Sequence, residues 1–258
     1  MGQYNPIELA NNIYNKVCRT IGNIELRRYF RFRGGRWYGG IATADVIGCN
    51  LMCRFCWSWR FRNNFRLGYF CGPDEVFDNL VRIARKHRYR YVRLSGAEPT
   101  ISRNHLLKLL KMFNDTDLVF ILETNGILIG YDDSYAKDLA RFSNLVVRVS
   151  FKGTSPDEFG LLTGAGPEYF EFQFRALENL INAGLKSGKD LYAAAMIGFS
   201  DDNSVANFVR KLSMLDPNLI DVDWEYVILY PHVEELLNKH GLKPLRSVRP
   251  NEIPRSMV

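Results

Sequence analysis

Three cysteines stand close together in the run Gly48-Cys49-Asn50-Leu51-Met52-Cys53-Arg54-Phe55-Cys56-Trp57. Gaps of three and two residues let three thiolates wrap one face of an iron–sulfur cube and leave its fourth iron without a protein ligand. Thiolate is the soft donor that such clusters take, and an iron with an open position is where chemistry happens. Zinc is the alternative: Cys3His sites exist, and His87 or His105 would complete one. Zinc ribbons and fingers usually present two paired knuckles, however, and no second Cys-x-x-Cys occurs in the chain.

A loop of this kind has to be held by regular structure, and the chain reads as strand and helix in alternation. Residues 38–46 are predicted as a first strand running into the cysteine loop. A helix over 73–87 follows, with Val76, Leu80, Ile83 and Ala84 at helical spacing and Pro73 suited to a first turn. Segments 89–95, 118–123, 145–151, 191–197 and 222–229 read as five more strands. Segments 102–113, 133–142, 168–183 and 204–215 read as the helices between them, with Ser102 as an N-cap and Gly184 as a stop.

Near-continuous apolar strands with short connections imply a parallel sheet covered by helices. Right-handed crossovers then give either a doubly wound sheet or a curved, partial barrel. The cysteine, glycine-rich and polar segments fall just after strands, at the carboxyl edge where active sites of such folds lie. A chain of 258 residues fits one α/β domain. It divides into an N-terminal arm over 1–37, a core over 38–242 and a loose tail over 243–258 that carries Pro244, Pro250 and Pro254.

An apolar fraction of 47% is ample for a large core, and no apolar run approaches a membrane span. Five cysteines, three of them in one loop, do not make an extracellular disulfide framework. The first residues lack the basic-then-apolar layout of a signal peptide, and Pro6 stands where a myristoylation site wants Ser or Thr. The cytoplasm is the expected compartment.

Charge is uneven. Residues 19–93 hold 16 Lys or Arg against 5 Asp or Glu, a balance of +11 in a chain of net +6, so the remainder is −5. Aromatic residues interleave with these arginines, as in Arg27-Arg28-Tyr29-Phe30-Arg31-Phe32-Arg33 and Trp57-Ser58-Trp59-Arg60-Phe61-Arg62. Such a mixture grips phosphates and stacks bases. A cationic rim also suits an anionic cluster, an acidic peptide or an anionic cofactor.

With Phe55 just before the last cysteine, the spacing resembles the signature of the radical S-adenosylmethionine (SAM) enzymes. The other strand ends resemble one branch of them, the glycyl-radical activating enzymes such as that of pyruvate formate-lyase. Ser95-Gly96-Ala97-Glu98-Pro99-Thr100 is similar to the Gly-Gly-Glu-Pro segment that holds the amino group of SAM. A methyl group at Ala97 is tolerable there if backbone φ is negative. Glu123-Thr124-Asn125-Gly126 resembles an Asp-Thr-Asn-Gly strand end, and Ser150-Phe151-Lys152 lies where the branch has Asp-Leu-Lys. Met196-Ile197-Gly198-Phe199-Ser200-Asp201-Asp202 is similar to Pro-Gly-Tyr-Asn-Asp-Asp, and Leu229-Tyr230-Pro231-His232 to Leu-Pro-Tyr-His.

The resemblance runs from about residue 40 to residue 242 and implies a partial (β/α)6 barrel of parallel strands with short N- and C-terminal extensions. It implies a [4Fe–4S] cluster on Cys49, Cys53 and Cys56, with SAM on the open iron and a flavodoxin- or ferredoxin-like donor as one-electron reductant. Phe55 would lie near adenine, with the backbone of Ile197 and Gly198 beside it. Gly96, Ala97, Glu98 and Pro99 would hold the amino group. Glu123, Asn125, Ser150 and Lys152 would surround the ribose and the SAM carboxylate, and His232 would close the far side.

The implied activity is reductive cleavage of SAM to a 5′-deoxyadenosyl radical that abstracts hydrogen from a substrate. A protein or peptide substrate is favoured by the strand-end motifs. RNA is favoured by the basic aromatic segments and by Trp57, which with Leu94-Ser95-Gly96 resembles the tRNA-modifying wybutosine-synthesising enzyme. A small metabolite is the third destination. Ser150 in place of Asp, and the lack of an added cysteine-rich insert, depart from the activase pattern. A zinc-stabilised RNA-binding protein is the non-catalytic alternative.

Overall fold

The computed structural model of the chain describes residues 3–254. It begins with helix α1 (Pro6–Val17), capped by the Asn5 side chain, which accepts from the backbone of Ile7 and Glu8. An antiparallel hairpin follows, β1 (Cys18–Ile21) and β2 (Ile24–Gly35), and β2 runs antiparallel beside β3 (Ile41–Val46). The arm expected over 1–37 is thus a helix and a hairpin that continues the main sheet. The Arg and aromatic alternation of 27–33 is a strand pattern, with Arg27 and Tyr29 buried. The first core strand also begins later than predicted. Tyr38 sits in a left-handed turn (φ 57°), which no strand residue adopts.

After the cysteine loop come the short helix α2 (Trp59–Arg62), strand β4 (Tyr69–Cys71) and helix α3 (Pro73–His87). Helix α3 matches its prediction because Val76, Leu80, Ile83 and Ala84 form one buried stripe and Pro73 opens the first turn. Then alternate β5 (Tyr91–Ser95), α4 (Arg103–Asn114), β6 (Val119–Thr124), α5 (Ile127–Tyr131), α6 (Asp133–Leu139) and β7 (Leu145–Phe151). Ser102 is at the N-cap of α4, but its side chain makes no capping bond. The chain continues through α7 (Pro156–Thr163), α8 (Phe170–Asn182), β8 (Leu191–Met196), α9 (Asp202–Leu215) and β9 (Asp223–Glu225).

The single strand predicted over 222–229 is split. Only β9 stays in the main sheet; β10 (Val227–Ile228) leaves it to pair in parallel with β11 (Ser247–Val248), beyond helix α10 (Pro231–His240). Segment 245–248, predicted as loose, is therefore tied down: Leu245 and Arg246 donate backbone N–H to the Gly198 carbonyl at 2.7 and 3.0 Å.

The main sheet has the order β1-β2-β3-β5-β6-β7-β8-β9, with β4 attached to β2. From β3 to β9 it is six parallel strands, the partial barrel layout, and no pairing joins β9 back to β2 or β3 among the described residues. A seam stays open between those two edges. The strands are apolar where they face the helices, and the main core lies between them and α3, α4 and α8. No helix among the described residues is long and apolar enough to cross a membrane.

Candidate functional site

The carboxyl ends of the parallel strands open into a cavity of 620 Å³, within the ~300–1,000 Å³ usual for cofactor and ligand sites. Two glycines shape its upper rim. Gly48, at φ 100°, turns the chain out of β3 into the cysteine loop, and a Cβ there would stand 2.7 Å from Ile13. Gly96, at φ 90°, turns the chain out of β5 with no room for a Cβ against the Val46 carbonyl, 3.0 Å away. Glu98 N–H donates to the Gly48 carbonyl at 3.0 Å, which locks the two turns together.

Cys49, Cys53 and Cys56 all line this cavity as free thiols. Burial pushes the Cys49 thiol well up and the Cys53 thiol to about 11; coordination to iron would deprotonate both. Among the described residues, no three His, Cys, Asp or Glu side chains converge as one metal ion would require. Tetrahedral zinc, at about 2.3 Å from each sulfur, would bring the sulfurs to about 3.8 Å from one another. A cube takes its ligands on a wider spread, and three thiolates on one cavity wall are the soft donor set it would use.

The histidines proposed for zinc are placed elsewhere. His105 is fully buried between β2 and α4: its Nδ1 donates to the Glu25 carbonyl and its Nε2 accepts from the Tyr29 hydroxyl, each at 2.8 Å. His87 ends α3, at the opposite edge of the sheet from the cysteine loop, stacked on Tyr89. Cys18 and Cys71 flank Arg27 on the two strands beside β2. That separates them by two strand spacings, about 10 Å, too far for a disulfide.

A cation that the sequence did not single out lies among the thiols. Arg62 is 7% exposed and its Nη1 donates to the Cys53 carbonyl at 3.1 Å. Burial opposes its charge, yet the sulfurs of Cys56, Cys53 and Cys49 together raise its pKa. Nothing in an arginine-rich loop distinguishes this residue beforehand. A buried guanidinium facing three thiols is what an anionic cluster would need.

The Gly96–Pro99 turn differs from expectation in one respect. The Glu98 carboxylate is taken up internally: Oε1 accepts from the Thr100 backbone and hydroxyl and from Thr124 Oγ1, and Oε2 from the Asn125 backbone. It ties the end of β5 to the end of β6 and has little left for an ammonium group. Gly96 and Ala97 line the cavity, the Gly96 carbonyl accepting from the Ser58 hydroxyl, and Ala97 keeps a negative φ, so its methyl is accommodated. Pro99 is buried in the turn that follows and does not line the cavity.

Asn125 lines the cavity, and its amide lies 2.8 Å from Asn50 Oδ1 and 4.0 Å from Cys49 Sγ, so it contacts a ligand residue as well as shaping its turn. Phe55 also lines the cavity, against Phe199 at 5.7 Å. Ile197, Gly198 and His232 do not. The Ile197 N–H is taken by the Glu225 carbonyl and the Gly198 carbonyl by segment 245–246. His232 is half-buried, stacked on Tyr230, with Nε2 on the Trp57 carbonyl at 2.6 Å; it fastens α10 to the cysteine loop.

The lower wall is a ring of charges, one or two from most parallel strands. Glu123 accepts from Tyr38 and Arg93, both at 2.7 Å; burial opposes its charge, but Arg93 and Arg148 hold its pKa down. Arg148 bridges Asp223 and Glu225. Ser150 donates to Glu225 Oε1 at 3.0 Å, and Lys152 Nζ contacts Ser150 Oγ and stands 3.6 Å from Glu225 Oε2. Despite burial, Lys152 and Arg148 hold the Glu225 carboxyl at about 2. The acid missing at Ser150 is thus supplied by β9. A signal was present in the sequence: Asp45, Arg93, Glu123, Arg148 and Glu225 each interrupt an apolar strand.

Comparison with known proteins follows this geometry. The profile of the radical SAM superfamily matches residues 46–210. A probable GTP 3′,8-cyclase of Methanococcus vannielii is 28% identical over 201 residues, covering 74% of this chain and 63% of the cyclase. The chain therefore spans less than two thirds of that relative. The mycofactocin maturase MftC of Mycolicibacterium smegmatis is 29% identical over 144 residues, 56% of this chain and 34% of the maturase. Among solved structures, TYW1 with a lysine–pyruvate adduct bound superposes with a TM-score of 0.52 at 15% identity, over 92% of this chain and 88% of that one. Streptococcus suis SuiB bound to S-adenosylmethionine gives 0.56 at 16% identity, over 82% and 51%. At these identities the structures speak for the fold.

Proposed function

Because this chain belongs to the radical SAM superfamily, we propose that it holds a [4Fe–4S] cluster on Cys49, Cys53 and Cys56, binds SAM in the adjoining cavity, and abstracts hydrogen from a small anionic substrate. A [4Fe–4S] cluster and SAM are the cofactors of this superfamily. When bound, they supply one-electron cleavage of the sulfonium bond and the hydrogen abstraction that follows. The chain's own residues supply position. Cys49, Cys53 and Cys56 would hold the cluster through their three thiolates, with no fourth protein ligand assigned to it. The backbone of the Gly96–Ala97 turn would offer acceptors for an ammonium group, with the Gly96 carbonyl shared with the Ser58 hydroxyl, and Lys152 would offer a cation for a carboxylate. The observation that carries this reading is that thiols, turn and lysine all open on one cavity.

Enclosure matters as much as contact, because a radical quenched by water or by a misplaced side chain is lost. Phe55 and Leu51 close the cavity beside the thiols, and the ring of ion pairs closes it below. An acidic flavodoxin- or ferredoxin-like donor suits the exposed Arg60 and Arg66 on the cysteine loop.

The small-substrate reading draws on the cyclase relatives and on the dimensions of the cavity. A protein or peptide substrate, as in activating enzymes, is the second reading; the strand-end motifs at 123–126 and 150–152 and the maturase relative favour it. RNA is the third reading; within the basic segment Arg27, Arg62 and Arg93 are buried and Arg28 is tied to the Leu67 and Gly68 carbonyls, so those four would not serve it. Anaerobic incubation of reconstituted protein with SAM, dithionite and deuterated pools of nucleotides, peptides or RNA decides among them. Deuterium should appear in 5′-deoxyadenosine from the nucleotide pool; transfer from the peptide pool alone would select the second reading.

A further inference from the structure

Every cation on the cavity wall but one has a partner that explains it. Arg62 serves the thiols, Arg93 serves Glu123, Arg148 bridges Asp223 and Glu225, and Lys152 sits on Ser150 beside Glu225. Arg33 closes a two-point bond on Asp45, Nε to Oδ2 at 2.8 Å and Nη2 to Oδ1 at 3.1 Å. Both oxygens of that fully buried carboxylate are then satisfied. Arg31 nevertheless adds its Nε to the same Oδ2 at 2.7 Å. Two guanidinium groups on one carboxylate leave one unit of positive charge uncompensated, with like charges side by side.

Arg31 is 46% exposed, yet its guanidinium is held in place. Its guanidinium lies over Phe30 and Phe61, 5.4 and 6.0 Å from the ring centroids, and those rings stack on each other at 4.5 Å. Its Nη1 and Nη2, with Arg33 Nη1, hydrogen-bond to nothing among the described residues, and both side chains line the cavity. They project from β2, on the lip of the seam that faces β9. Asp45 thus fixes the aim of two guanidinium forks whose outer donors are left over. That is the geometry that receives a carboxylate or phosphate.

We propose that Arg31 and Arg33, held on Asp45, form an oxyanion subsite that takes the carboxylate or phosphate group of the substrate as it enters the seam. The inference rests on the small anionic substrate reading and names where that charge is read. Inorganic pyrophosphate and citrate are the two probes, titrated into the protein by calorimetry at low and moderate salt. At least one should bind with an affinity that falls as salt rises. Arg31→Gln should weaken it about tenfold or more, and Arg31→Lys should recover only part, since a lysine lacks the fork.

Pyrophosphate binding alone assigns a phosphate group, citrate alone a carboxylate. Arg31→Gln leaves the Arg33–Asp45 bond in place, so the fold should survive, and circular dichroism checks it. If neither probe binds, or if Arg31→Gln binds as tightly as the parent, the subsite is refuted. SAM cleavage by the parent protein, measured in parallel, keeps the two readings apart. Arg31-dependent binding without SAM cleavage would sink the catalytic reading and leave the subsite standing.

Discussion

The Arg62 guanidinium donates to the backbone carbonyl of Cys53 and lies within the field of all three cysteine sulfurs while only 7% exposed. A buried cation this close to an iron–sulfur site favours its more negative, reduced state. Arg62→Gln should lower the reduction potential of the reconstituted cluster by ~60 mV or more, one tenfold change in a one-electron equilibrium. Arg62→Lys should fall between the two. Redox titration followed by EPR reads this directly, and unchanged potentials would show that Arg62 only braces the loop.

Removing two of the three thiols tests the donor set. Cys53→Ala with Cys56→Ala should lose iron, sulfide and visible charge-transfer absorption while keeping a native far-UV spectrum. The loop lies outside the sheet strands. Although Cys53 is a buried member of the main core and Cys56 packs against it, each change to Ala removes only one sulfur atom and leaves Leu51 and Phe55 in place. Retention of full iron content would mean that other side chains hold the metal.

Much of this could be read in advance, and the failures have physical causes. The cysteine spacing and the helix over 73–87 were legible because ligand geometry and a 3.6-residue apolar stripe are both local. The hairpin of β1 and β2 was not, since its Arg and aromatic alternation reads equally as a nucleic-acid surface. The split of 222–229 depends on a partner strand some 20 residues later, which no local pattern records. In the site, Phe55 and Lys152 reached the cavity, while Ile197, Gly198 and His232 engage neighbouring chain instead. Of the ring of charges, Glu123 and Lys152 were read from their strand ends, while Arg93, Arg148 and Glu225 went unread although each interrupts a strand.

Glu225 is the keystone of that ring. Glu225→Gln would leave Arg148 with one acid and Lys152 with none, and breaking a buried ion pair costs ~3–5 kcal/mol. Urea unfolding at pH 7 should show a loss of that order. Because the folded carboxyl is held at about 2, below its ordinary 4.5, its contribution is present above pH 4.5 and disappears as pH falls toward 2. Parent and variant should therefore converge in acid; a constant gap would place the effect in packing.

His105 adds a second pH dependence of known sign. Burial holds its folded pKa near 4, against an ordinary 6.5, with Arg27 and Lys108 opposing protonation further and the Glu25 carbonyl favouring it. The unfolded chain binds that proton more readily, so stability is complete above pH 6.5 and declines between 6.5 and 4, by up to ~3 kcal/mol. His105→Gln should flatten the profile across this window in urea titrations. An unaltered slope would show that other groups dominate it.

The decisive measurement is SAM turnover by anaerobically reconstituted protein under dithionite. Methionine and 5′-deoxyadenosine should form in equal amounts with the parent and vanish with Cys53→Ala, Cys56→Ala. A protein that carries a full complement of cluster iron and cleaves no SAM would contradict the proposal that Cys49, Cys53 and Cys56 present an open corner to it.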